Sequence, residues 1–103
     1  MAKSEADLIT GFTEWLKPLP GSFSDYYVGV AADPKDRLKN GHGVDTDAGA
    51  AATHWRYDTA FTSDIARRVE QHFIAQRMQG GPGGGDATST AVYIYKTTAS
   101  TRE

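Results

Sequence analysis

The sequence contains no cysteine among its 103 residues. A disulfide framework, a zinc–thiolate centre and a cysteine nucleophile are therefore excluded. Long apolar runs are lacking too, since no stretch approaches the roughly 20 apolar residues of a membrane-spanning helix and the N-terminus lacks the apolar run of a signal peptide. These absences predict a soluble, cytoplasmic protein that does not associate with a membrane.

Positive charge is not in excess either. Lys and Arg number 11 against 13 Asp and Glu, which gives a net charge of −2 and a pI near 5.9. Proteins that bind duplexes non-specifically rely on many contacts from Lys and Arg to phosphates, so this balance argues against that class but leaves a local basic patch open. Because independent domains typically need about 100 residues, the whole chain, residues 1–103, is expected to form a single domain.

Two segments have the apolar spacing of amphipathic helices. Residues 4–16 begin with Ser4 as the predicted N-cap and carry one apolar stripe. Residues 63–78 follow Thr62 or Ser63, either of which is a suitable cap, and they also carry an apolar face. Both helices are expected to pack on a sheet.

Aromatic and β-branched residues predict three strands, at residues 25–31, 54–60 and 91–96. Asp33 and Pro34 predict the start of a short helix that runs to about residue 39 or 40. Residues 43–53 predict a loop, and residues 97–103 are expected to fray. The order of elements predicts an α+β fold with a small, three-stranded, largely antiparallel sheet, packed by the two main helices and accompanied by the short helix.

Three features that suggest a ligand site have the wrong context or spacing. The Gly80–Asp86 segment follows a helix and precedes a strand, which reverses the order of phosphate-binding loops. It is interpreted as a helix end and a turn, with a flap or an anion-binding nest as the alternatives. A calcium loop starting at Asp45 would place Ala50 and Arg56 where glycine and glutamate are needed. The three histidines match no zinc spacing.

A further set of residues recurs in a recognisable order. The order is Tyr27–Val28–Gly29 on a strand, Arg37 on the short helix, His42 shortly after it and Glu70 in the middle of the second long helix. This order resembles that of the GIY-YIG nuclease superfamily, and the resemblance covers about residues 26–76. In that superfamily a Tyr-Ile-Gly strand is followed by a helix with Arg, often by His, and later by a helix whose Glu binds a metal.

The resemblance implies a divalent-metal-dependent endonuclease that hydrolyses phosphodiester bonds in a nucleic acid. Tyr27 would position or deprotonate the attacking water, Arg37 would contact the phosphate, and Glu70 would bind Mg²⁺. His42 would be an auxiliary residue of the site. These roles are chemically coherent, because hydrolysis of a phosphodiester needs a hard cation, an offset for the developing charge and an aromatic hydroxyl beside the water.

The sequence departs from the superfamily at the first motif. No Gly-Ile-Tyr segment precedes the Tyr-Val-Gly strand, and the Gly-rich segment replaces the Asn that usually follows the Glu helix. A permuted arrangement would repair the first departure. Strand 91–96 would then pair with strand 25–31, and Tyr93 or Tyr95 would stand in for the missing tyrosine.

The alternative hypothesis is a non-catalytic module that binds a protein or a small ligand on the same scaffold. Exposed aromatic residues such as Trp55 or Tyr57, together with the Gly-rich segment, would form its binding face. The two hypotheses differ in one geometric requirement. A nuclease site needs Tyr27, Arg37, Glu70 and a C-terminal tyrosine to converge in one exposed cleft, whereas a binding module does not.

Overall fold

A computed structural model describes residues 2–19, 21–36, 38, 54–80 and 89–97. The predicted loop 43–53 and most of the Gly-rich segment lie outside these ranges. The helices are α1 (Glu5–Leu16), the short α2 (Pro34–Asp36) and α3 (Ser63–Ala75). The strands are β1 (Tyr26–Ala31), β2 (Trp55–Thr59), β3 (Gln79–Gly80) and β4 (Ala91–Lys96), and a 3-10 turn (Phe23–Asp25) leads into β1. The predicted α+β class is confirmed.

The strands form one mixed sheet in the order β2-β4-β1-β3. The last strand, β4, pairs antiparallel with β1 on one side and with β2 on the other, so the predicted pairing of the final strand with the Tyr-Val-Gly strand is confirmed. The prediction of three strands missed β3, which pairs parallel with β1. A strand of two residues is too short to show the period-2 alternation by which strands are recognised.

Side-chain oxygens cap both long helices. Ser4 Oγ accepts a hydrogen bond from the backbone N–H of Asp7 at 3.2 Å, as predicted for α1. Of the two candidate caps for α3 the structure selects Thr62, whose Oγ1 accepts from the backbone N–H of Ile65 at 3.2 Å. Each cap satisfies one of the backbone donors that a helix leaves unpaired at its start.

The second long helix is shorter than its apolar pattern predicts. It ends at Ala75 rather than at residue 78, and Arg77 adopts a left-handed backbone conformation with φ of 78°. Met78 is still buried, because the chain turns back toward the sheet to form β3. The apolar residue that suggested a longer helix therefore belongs to the turn.

Hydrogen bonds hold the chain just before β1 and at the start of α2, which follows it. Before β1 the carbonyl of Asp25 accepts from the backbone N–H of Thr97 at 2.8 Å and from its Oγ1 at 3.0 Å, so this first residue of the predicted frayed tail is held. After β1 Asp33 Oδ1 accepts from the backbone N–H of Asp36 at 3.1 Å. Pro34 occupies the first position of α2, as predicted.

Both long helices pack on the same face of the sheet and form the main core there. The ring of Phe73 in α3 meets Phe12 of α1 and Phe23 of the 3-10 turn edge to face, each at 6.1 Å between centroids. An ion pair of 2.6 Å between Arg68 Nε and Glu5 Oε1 also joins the two helices at the surface. The strand residues of this core are Tyr26, Val28, Val30, Val92 and Ile94. Neither long helix is long and apolar enough to cross a membrane.

The opposite face of the sheet is aromatic. Because successive strand residues point to opposite faces, β1, β2 and β4 each place their alternate residues there. Leu38 and Ala31 pack there with Trp55, Tyr93 and Tyr95 in a second buried cluster. We call this surface the aromatic face, and its rings are Tyr27, Trp55, Tyr57, Tyr93 and Tyr95.

Candidate functional site

Three tyrosines of the aromatic face stack against one another. The ring of Tyr27 lies 5.4 Å from that of Tyr95 and 6.5 Å from that of Tyr93, with interplanar angles of 25° and 19°. The rings of Tyr93 and Tyr95 are 6.5 Å apart and inclined by 10°. We call these three residues the tyrosine cluster. The structure therefore brings together two of the predicted site residues, Tyr27 and Tyr93.

The glycine of the Tyr-Val-Gly strand makes this stacking possible. Gly29 is paired directly with Tyr93 across the β1–β4 ladder. A Cβ built on Gly29 would lie 2.4 Å from both Cζ and Oη of Tyr93, a separation that real Cβ atoms do not show. The Tyr93 ring thus lies over a bare backbone, and the register of the two strands depends on that glycine.

Access to the tyrosine cluster is limited to one ring. Tyr93 and Tyr95 are 2% and 0% exposed, whereas Tyr27 is half-buried. A ligand approaching the tyrosine cluster would therefore meet Tyr27 before the other two rings. The other two rings hold Tyr27 in place by stacking, which contributes roughly 0.5–1.5 kcal/mol for each aromatic pair beyond the area that is buried.

Glu70 lies on the other side of the sheet. It belongs to α3, whose buried residues pack with Tyr26 and Val28 on the helix-covered face. Its side chain is buried, at 5% exposure. Burial raises the pKa of the Glu70 carboxyl to about 6, and the nearby charge of Arg67 opposes this rise. The structure therefore does not bring Glu70 together with Tyr27.

The remaining predicted site residues, Arg37 and His42, lie outside the described ranges. Their roles stay predictions. Of the predicted site, the described residues therefore form the tyrosine cluster on one face of the sheet, and Glu70 lies on the opposite, helix-covered side.

The described residues do not fit a magnesium site. No group of three or more His, Cys, Asp or Glu side chains that could hold a metal ion occurs among them. Mg²⁺ usually keeps several of its waters and is bound through one or two carboxylates. Glu70 is a single carboxylate at 5% exposure, which leaves no room for such a hydrated ion.

The residues proposed for a binding face are only partly exposed. Trp55 was expected at the surface, but it is 9% exposed and stacks on Tyr57 with centroids 6.1 Å apart and rings inclined by 4°. Its Nε1 is buried and donates to no acceptor in the described part of the chain. Tyr57 is 41% exposed, as expected. The alternation of β2 identified the face of the sheet, but it could not tell which of its rings would be covered.

Sequence reasoning missed Phe61, which is 63% exposed and the most exposed large hydrophobic residue described. It directly precedes Thr62, the cap of α3. An apolar residue before a helix cap often packs against the first turn of that helix, so the pattern would have predicted burial. Together with the exposed Tyr57, Phe61 marks the outer strand β2 and the residues that follow it as a candidate contact surface.

A concave region lies at the end of α1. A cavity of about 230 Å³ opens between the last turn of α1 and the 3-10 turn. Drug-sized ligands usually occupy pockets of roughly 300–1,000 Å³, so this cavity suits a side chain better than a cofactor. It is lined by Thr13, Leu16, Lys17, Leu19, Gly21, Ser22, Phe23 and Tyr26.

No protein-family model, curated protein or solved structure matches this chain. The likeness to the GIY-YIG superfamily therefore depends on the residues named above and on their arrangement in the fold. Within the described residues, the feature of the fold that bears on this likeness is the pairing of β1 with β4, the two strands that carry the tyrosines.

Proposed function

We propose that this chain is a GIY-YIG-like nucleic-acid-processing domain in permuted order. The supporting observation is the pairing of β1 with β4, which stacks Tyr27 on Tyr93 and Tyr95 across the strands. A permuted GIY-YIG arrangement requires that the Tyr-Val-Gly strand lie next to a second strand that carries a tyrosine. Gly29 supports the same register, because it leaves space for the Tyr93 ring.

The chemical group that Tyr27 offers at this site is a phenol hydroxyl, on a ring that is held by the stacked rings of Tyr93 and Tyr95. A tyrosine hydroxyl donates a hydrogen bond to a phosphate oxygen, and its ring offers a face on which an unpaired base stacks. The net charge of −2 means that contacts at the site, rather than a broad positive field, would provide most of the affinity. Phosphodiester hydrolysis is the activity that the resemblance implies, but Glu70 lies on the opposite side of the sheet from the Tyr27 ring.

The test measures binding and cleavage of labelled single-stranded and duplex DNA and RNA, with Mg²⁺, with Mn²⁺ and with a chelator. Tyr27→Phe removes only the hydroxyl of the half-buried ring of the cluster, and we expect it to weaken binding about tenfold, as the loss of one hydrogen bond to a charged group does. Tyr57→Phe is the matched control on the same face and should leave the affinity unchanged. A wild-type protein that binds none of the four nucleic acids would refute the proposal.

Glu70→Gln separates binding from metal-dependent catalysis. We expect this variant to bind nucleic acid as the wild type does, because Glu70 starts from the opposite side of the sheet. Metal-dependent cleavage that is lost in Glu70→Gln but kept in Tyr57→Phe would contradict this placement. It would show that Glu70 reaches the substrate and would favour the complete nuclease assignment.

A second candidate function, a protein-interaction module, is favoured by a separate observation. The large hydrophobic side chains that are exposed in the described part of the chain, Tyr57 and Phe61, belong to β2 and to its direct continuation. The exposure of both side chains along this outermost strand and its continuation favours contact with another chain at the edge of the sheet. The association state of the purified protein tests this function independently of nucleic acid.

A further inference from the structure

The outer edge of β2 has hydrogen-bonding groups that β4 does not use. The pairs His54–Lys96 and Ala60–Thr90 bond across the ladder, since Lys96 N–H donates to the His54 carbonyl and Ala60 N–H donates to the Thr90 carbonyl. In an antiparallel ladder bonded and non-bonded pairs alternate. The backbone groups of Trp55, Tyr57 and Thr59 therefore point outward, away from β4.

One residue near the N-terminus already occupies part of this edge. Lys3 N–H donates to the Thr59 carbonyl at 2.8 Å, and Phe61 N–H donates to the Lys3 carbonyl at 3.1 Å. Lys3 Nζ also pairs with Asp58 Oδ2 at 2.6 Å. We call residues 2–3 the N-terminal strap. Of the described residues, Lys3 alone is bridged to this edge.

The strap is held weakly. It is a single isolated bridge, and the Lys3 side chain is 39% exposed. A partly exposed ion pair contributes about 1 kcal/mol, and segments with few buried apolar contacts open locally at low cost. The strap is thus a covering element that contributes no residue to either buried core cluster.

The sequence of β2 is complementary to itself in antiparallel register. If a two-fold axis passes beside Tyr57, the outward backbone groups of Tyr57 bond to those of Tyr57 in a second copy. The same axis places Arg56 opposite Asp58 of that copy, twice, as a close non-hydrogen-bonded pair. Opposite charges at such positions stabilise a sheet, and the symmetry makes the contact a closed dimer.

The strap and a second copy of β2 would compete for the same stretch of the β2 edge. In this register Trp55 of the second copy lies opposite Thr59, where Lys3 is bonded, and Asp58 is already paired with Lys3. We propose that the N-terminal strap guards an edge-to-edge dimer site on β2, whose occupant is a second copy of this chain. Release of the strap joins the two sheets of the dimer into one, which is the association that unprotected edge strands favour.

Sedimentation equilibrium of the full chain tests the proposal. Lys3→Pro removes the N–H that bonds to Thr59, and Lys3→Glu sets a negative charge against Asp58. Because a dimer needs both straps released, we expect each variant to lower the dimer dissociation constant about tenfold to a hundredfold. Lys17→Glu is the matched control, since Lys17 also forms a surface ion pair, at 3.1 Å with Glu14, but lies away from β2. It should leave the dissociation constant unchanged.

Charge reversal locates the interface. In the Lys3→Pro background, which leaves no charge at residue 3 to pair with residue 58, Arg56→Asp would oppose two aspartates across the two-fold axis and should abolish the dimer. Adding Asp58→Arg restores the opposite charges and should restore the dimer. Folding of every variant is checked by circular dichroism. Folded Lys3 variants that stay monomeric at all accessible concentrations would overturn the proposal. So would a dimer whose dissociation constant does not change with Arg56→Asp.

Discussion

A single glycine controls how two strands of tyrosines meet. The Tyr93 ring is almost fully buried over Gly29, so it cannot swing away from an added methyl group. We expect Gly29→Ala to lower the free energy of unfolding by about 1–3 kcal/mol, the cost of overpacking a well-packed site. Urea unfolding measures it.

Gly11→Ala provides the control for this prediction. Gly11 lies inside α1, and a Cβ there would meet nothing within 4 Å. Alanine in a helix interior is more favourable than glycine by about 0.5–1 kcal/mol, so this variant should be more stable than the wild type. Equal effects at the two glycines would mean that the Tyr93 contact has no part in stability.

The buried carboxyl of Glu70 gives the protein a distinctive pH dependence. Its pKa is raised from 4.5 to about 6, chiefly by burial. The folded chain therefore holds this proton more tightly than the unfolded chain, and the free energy of unfolding falls as the pH rises from about 4.5 to about 6. The difference between the two pKa values corresponds to about 2 kcal/mol, lost fully only above the higher pKa.

Glu70→Gln should remove this dependence. We expect the variant to be more stable than the wild type by up to about 2 kcal/mol above pH 7 and nearly equal to it at about pH 4. Urea unfolding of both proteins across this pH range checks the prediction. A wild-type protein that is stabilised relative to Glu70→Gln as the pH rises would show that Glu70 has a positive partner which the described residues do not include.

At the scale of the element, α3 depends on its cap. Thr62 Oγ1 satisfies the N–H of Ile65, and α3 carries one side of the main core through Ala66, Val69 and Phe73. We expect Thr62→Ala to lower the free energy of unfolding by about 1 kcal/mol. Thr62→Ser keeps the acceptor oxygen and should cost much less. Similar losses in both variants would assign the effect to the methyl group instead of the hydrogen bond.

The elements also show how far sequence reasoning reaches. Ser4 and Thr62 were predictable as caps because the chemistry of a cap lies within four residues. Periodicity placed Glu70 beside the buried side of its own helix, but it could not tell which face of the sheet that helix would cover. The face is set by the path of the whole chain, so the separation of Glu70 from Tyr27 was beyond prediction from local pattern.

Pairing between distant strands was predictable only where chemistry suggested it. The proximity of β1 and β4 followed from a missing tyrosine motif and not from any local signal. The burial of Trp55 was not foreseen, since alternation in β2 gives the side on which a ring lies but not what covers it.

At the scale of the whole molecule, the last strand holds the sheet together. Because β4 lies between β1 and β2, a chain that stops at residue 80 loses every ladder contact of β2. We expect the fragment 1–80 to lack cooperative unfolding on its own and to regain it when a peptide of residues 89–97 is added. Circular dichroism during a peptide titration measures this recovery.

A peptide with Ile94→Asp is the control for the complementation. Ile94 is fully buried in the main core, and an unpaired carboxylate there carries a large desolvation cost. This peptide should fail to restore unfolding cooperativity. A fragment 1–80 that unfolds cooperatively without any peptide would show that the helices and β1 form a stable unit by themselves.

The central position of β4 also has a consequence during protein synthesis. A ribosome delivers β1 and β2 before residues 91–96, so a growing chain has the two strands that flank β4 but no strand between them. Domains whose N-terminal parts form a closed unit can fold while translation continues, but this sheet cannot close until its middle strand has left the exit tunnel. Until then the main core lacks Val92 and Ile94, which β4 supplies, so we expect part of the apolar surface of β1 and α3 to stay exposed to solvent until the last strand is added.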